Sequence, residues 1–140
     1  MGKKKFNILI IDERVEESLT LIQDLEESGL FHCSLASGDC EAKQLLFNNR
    51  QLFGHGFDAL LIHFEDPSGV NEKLAFWDQK QWIIPIPVVA TLSQEANSVW
   101  EPHFNQWVSR LAFEPCHSTK IIELLEEVVR YKPRKNLGLA

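Results

Sequence analysis

Apolar residues along this chain follow two alternating rhythms. Short runs such as the mostly apolar Phe6–Ile11 and the unbroken Ala59-Leu60-Leu61-Ile62 lack the polar alternation of a half-exposed strand, and predict buried strands. Between them the spacing widens to three and four. Val15, Leu19, Ile22 and Leu25 predict one face of a helix over 15–28, stopped by Gly29. A more exposed strand over 31–36 follows, then a helix over 40–49 built on Ala42, Leu45 and Leu46. After the central strand come a helix over 71–79 and a strand over 85–92, with Pro85 and Pro87 confined to its entry. A helix over 94–105, interrupted near Pro102, and a short strand over 111–113 lead to the most regular helix, 117–131. Ile121, Leu124, Leu125 and Val128 mark its inner face.

Strands alternating with helices, joined by right-handed crossovers, predict a doubly wound parallel α/β sheet of five strands with helices on both faces. In such sheets ligands bind beyond the carboxyl ends of the strands. His63 lies there, where the central strand meets a loop closed by Pro67-Ser68-Gly69, so the chemistry is expected around it. The domain is expected to span 1–131. Residues 132–140 are basic and rich in helix breakers, and read as a linker or frayed tail.

Composition narrows the partners. A hydrophobic content of 44% with 24% charged residues is that of an ordinary globular chain. The net charge of −6 disfavours gripping a nucleic acid backbone. Cys33, Cys40 and Cys116 are odd in number and form no CxxC pair, which predicts reduced, small buried thiols and a cytoplasmic setting. The basic start Lys3-Lys4-Lys5 is followed by too short an apolar run for a signal sequence. No stretch approaches the ~18 apolar residues of a membrane span.

Several short motifs, in this order, resemble the receiver domain of bacterial response regulators. They are Ile10-Ile11-Asp12-Glu13 after the first strand and His63 at the end of the third, with Pro67 four places on. Ile86-Pro87-Val88-Val89-Ala90 enters the fourth strand, and Glu114-Pro115 follows the fifth. The likeness covers residues 5–131 and implies a flavodoxin-like sheet of order 2-1-3-4-5. Receivers bind magnesium at the acidic pair, which implies a residual, weak Mg2+ site at Asp12 and Glu13 and no required cofactor. The aspartate that accepts the phosphoryl group is replaced by His63. The hydroxyl position that ends the fourth strand falls on Leu92, although Thr91 and Ser93 flank it and a one-residue bulge would restore it. The lysine position is Glu114, and the aromatic switch position is Leu111.

Receiver phosphorylation needs a carboxylate nucleophile, a cation on oxygen ligands, and positive charge near the transferred group. The substitutions remove the first and reverse the third. The resemblance therefore implies a phosphorylation-independent pseudo-receiver, not an enzyme, serving as the N-terminal regulatory part of a longer response regulator. It would act through a protein partner or homodimer, using the face of the fourth helix, fifth strand and fifth helix with Trp100 and Trp107, and no nucleic acid or membrane. His63 and Glu114 are expected to pair as imidazolium and carboxylate. A second reading joins Asp12, Glu13 and His63 in a divalent-metal site, since imidazole with carboxylates suits zinc or iron. A flavin or nucleotide carrier is disfavoured, because the loop from Asp12 to Glu17 is acidic and has no glycine to expose backbone amides to a phosphate.

Overall fold

The apolar runs become the centre of a parallel sheet. The computed structural model describes residues 5–53, 56–65, 86–93 and 108–130, with backbone alone for 47–53. Five strands are β1 (Phe6–Ile11), β2 (Phe31–Ala36), β3 (Ala59–Phe64), β4 (Val88–Leu92) and β5 (Arg110–Phe113). They lie side by side in the order β2-β1-β3-β4-β5, the flavodoxin-like order expected. Three helices are described: α1 (Val15–Glu27), α2 (Asp39–Phe53) and α3 (Ser118–Arg130). The helices expected over 71–79 and 94–105 and the tail 132–140 lie outside the described residues.

All six residues of β3 are buried, the apolar run Ala59–Ile62 together with His63 and Phe64. Its alternation then sorts the core into two. Leu60, Ile62 and Phe64 face α2, with Leu9, Ile11, Ala90, Leu92, Ala42 and Leu46. Ala59 and Leu61 face α1 and α3, with Ile8, Ile10, Val89, Leu25 and Leu125. On α3 the predicted inner face holds, since Ile121, Leu124, Leu125 and Val128 are all buried.

Two expectations give way. On α1, Val15 and Leu19 are 44% and 54% exposed, while Ser18 and Leu25 are buried. The inward row is 18, 21, 22, 25, a proper helical face that begins on a polar residue and was hidden by it. The second correction is to the thiols. Cys33 and Cys116 are half-buried and Cys40 is exposed, at the first turn of α2, where nothing requires packing.

Candidate functional site

At the carboxyl edge of the sheet the two faces diverge. His63 continues the α1/α3 face of β3 and pairs in register with Thr91 on β4. Phe64 and Leu92, the next residues along, turn to the α2 face and are 1% and 0% exposed. The hydroxyl beside His63 is therefore that of Thr91. Leu92, the position obtained by counting from Pro87, is core, and no bulge intervenes. Leu111 likewise packs against the α2-side core instead of entering the pocket.

Asp12 directly follows β1 and is 7% exposed. Its Oδ1 accepts from the Arg14 backbone N–H at 2.8 Å, a side chain-to-backbone turn that sets the start of α1. The same carboxylate accepts from the Arg14 guanidinium twice, Nε to Oδ1 at 3.1 Å and Nη2 to Oδ2 at 2.9 Å. The other edge of the guanidinium donates to Glu114, Nη1 to Oε1 at 3.1 Å and Nη2 to Oε2 at 3.0 Å. Both contacts have the forked geometry that planar guanidinium offers to carboxylates. Burial works against the charged Arg14, but the hydrogen bonds and charges of Asp12 and Glu114 outweigh it and hold its pKa above the ordinary arginine value.

His63 makes a second chain. Nε2 lies 2.7 Å from Oε1 of Glu65, so the ring donates there to an acceptor-only carboxylate. Nδ1 lies 2.8 Å from the Thr91 hydroxyl, which donates to it when the ring is neutral. Glu114 Oε2 is 3.7 Å from Nδ1, beyond hydrogen-bond reach. The expected His63–Glu114 pair is present as a contact in ion-pair range, while the hydrogen bonds join His63 to Glu65 and Thr91, and Glu114 to Arg14. Arg14 also approaches Glu65, at 3.9 Å, and so links the two chains.

A divalent cation of the magnesium type needs several free oxygen ligands. Both Asp12 oxygens are taken by Arg14, and Glu13 is exposed and does not line the pocket. The set Asp12, Glu13 and His63 is therefore not brought together, and the arrangement does not fit the magnesium of receivers. One described group, His63 with Glu65 and Glu114, holds donor atoms within 4.8 Å of one another. Those atoms already serve the hydrogen bonds above. The guanidinium supplies the positive charge between the carboxylates.

The structure brings His63, Asp12 and Glu114 to one edge, together with Arg14 and Glu65, which the sequence did not single out. Each missed residue stands two places from a recognised one, Asp12-x-Arg14 and His63-x-Glu65, and that spacing was the available signal. Trp100 and Trp107, the expected interface residues, lie outside the described residues. Burial, and then the Glu114 charge, push the Cys116 thiol pKa up beside this site.

No family model and no curated protein matches the chain. Solved structures do. The signal receiver domain of a putative Luxo repressor protein from Vibrio parahaemolyticus is similar with a TM-score of 0.70 at 11% identity, covering 96% of this chain and 97% of that one. The receiver domain of Francisella response regulator 1452 gives 0.69 at 15%, over 90% and 98% of the two chains. A response regulator from Thermotoga maritima gives 0.65 at 13%, over 91% and 99%. At such identities the likeness establishes a receiver-type fold.

Proposed function

We propose that this chain is a pseudo-receiver, a signalling module of the two-component type whose pocket is set by its own residues instead of by phosphorylation. One observation carries the reading: the Arg14 guanidinium is braced between Asp12 and Glu114 by four side-chain hydrogen bonds. A receiver must admit a cation and a phosphoryl group at this edge. Here a tethered guanidinium offsets part of the charge of Asp12 and Glu114, and an imidazole stands where the nucleophilic carboxylate would be. Glu114 and Glu65 add negative charge that repels an incoming phosphoryl group.

Such a module acts by contact, as a protein-binding or dimerising domain and not as an enzyme. The proposed surface is the face of β5 and α3 together with the segment carrying Trp100 and Trp107. In support, Phe113 on β5 is 43% exposed. The proposed setting is the cytoplasm; no helix among the described residues is long and apolar enough to cross a membrane.

The test is incubation with acetyl phosphate and magnesium chloride, followed by intact-mass measurement. The expected spectrum is that of the unmodified chain. A phosphoryl adduct in an appreciable fraction of molecules would sink the reading. Loss of self-association or of partner recovery on Trp100→Ala or Trp107→Ala supports the surface, and unchanged behaviour moves it elsewhere.

A further inference from the structure

Next to the ion network a cavity of about 160 Å³ opens between the sheet and helices α1 and α3. Its apolar wall is Ile10, Leu21, Leu61 and Ile121. Ser18 also lines it, is 1% exposed, and its Oγ has no hydrogen-bond partner among the described residues. A buried hydroxyl is rarely left unpaired, because the water it gave up must be replaced. The position belongs to the inward row of α1, where a larger apolar side chain would fill the space. A serine there keeps the cavity open and offers it a polar atom.

The rim decides the charge of what would enter. Asp12, Glu17 and Glu114 line it against the single guanidinium of Arg14. Glu17 is exposed and makes no ion pair among the described residues. An anion would be repelled by this balance, and a bare divalent ion would find an apolar wall in place of the oxygens it needs.

We propose that the cavity is a binding site for a small organic monocation, a primary ammonium on a short apolar body. The ammonium donates to Ser18 Oγ and is drawn by Glu17 and Glu114. The body rests on Ile10, Leu21, Leu61 and Ile121. An apolar cavity of roughly 150 Å³ accepts a benzene-sized guest, so the space suits a body of about four to seven carbons. The inference is independent of whether the chain accepts a phosphoryl group.

The experiment is a heteronuclear NMR titration of the full chain with isobutylammonium chloride. Isobutanol and sodium isobutyrate, at matched ionic strength, are the neutral and anionic comparators. The amine is expected to give saturable shifts in amides of α1 and α3. Isobutanol should bind at least about fivefold more weakly and isobutyrate not at all, the factor expected when one charge-assisted contact is lost. Ser18→Ala and Glu17→Gln should each weaken the amine by about fivefold, and Ser18→Leu should abolish binding by filling the space. Should Ser18→Leu fail to fold, the first two variants decide. No saturable shift with the amine, equal binding of either comparator, or Ser18→Ala binding as tightly as the parent chain would overturn the proposal.

Discussion

The two faces of the sheet are built from the same strands, yet they end differently. Toward α2, β3 and β4 finish on Phe64 and Leu92, both fully buried in an apolar cluster. Toward α1 and α3, the adjacent residues His63 and Thr91 finish in hydrogen bonds to each other and to a carboxylate. The first face gains its stability from removing apolar area from water. The second places charged and polar groups at its edge and must neutralise them locally. One residue of register separates scaffold from site.

The largest expected effect breaks the apolar face. Phe64→Ala should destabilise the domain by about 3–5 kcal/mol in denaturant unfolding, with the slope unchanged, since it opens a cavity among close-packed neighbours. A loss below about 1 kcal/mol would mean this face is not the close-packed one.

On the polar edge, Arg14→Ala should cost about 2–3 kcal/mol, less than a fully buried pair because Arg14 and Glu114 remain 25% and 28% exposed. Pairing it with Glu114→Gln should recover part of the loss, because one stranded carboxylate is removed. A double variant no more stable than Arg14→Ala alone would show that the bridge is not the element holding the edge. Thr91→Val sharpens the contrast at one position. It should cost about 1–2 kcal/mol by leaving the His63 Nδ1 unpaired, although the new side chain is the same size.

The smallest effect concerns a thiol packed against the α1/α3 side. Burial, and then the Glu26 charge, push Cys33 up to about 12. A thiol held protonated reacts slowly, so at pH 8 iodoacetamide should label exposed Cys40 well before Cys33. The sign of the linkage follows from the raised folded value. The stabilisation is complete below the ordinary value of 9.0 and fades as pH climbs toward about 12. Cys33→Ala should remove that part of the alkaline slope, and equal labelling of the two thiols would contradict the burial.

Most of the fold was legible because buried strands leave short, mostly apolar runs, which polar turns punctuate clearly. β1, β2 and the inner face of α3 follow from periodicity alone. The site was legible only as far as its strand ends. Asp12, His63 and Glu114 stand where topology says chemistry collects, and pattern could locate them without naming their partners. Arg14 was hidden in a loop that reads as acidic, because charge counted along the chain does not reveal which way a guanidinium folds back. Leu92 was misplaced because counting from Pro87 ignores register, which is a property of two strands and not of one. Ser18 was passed over as a polar residue on a helix whose apolar neighbours, Val15 and Leu19, proved to face outward.

The bridge between Arg14 and Glu114 joins positions one hundred residues apart. Closing a flexible loop of that length costs about 4 kcal/mol in chain entropy, more than one partly exposed ion pair returns. The pair therefore cannot nucleate folding. It can close only after β5 has joined the sheet edge and α3 has come to rest against α1, with which it is in contact. In kinetic terms Arg14→Ala should behave as a low-φ change, speeding unfolding and leaving the folding rate nearly unchanged in stopped-flow measurements. The electrostatic edge is thus among the last parts of the molecule to assemble, and its integrity reports that the first and last thirds of the chain have met.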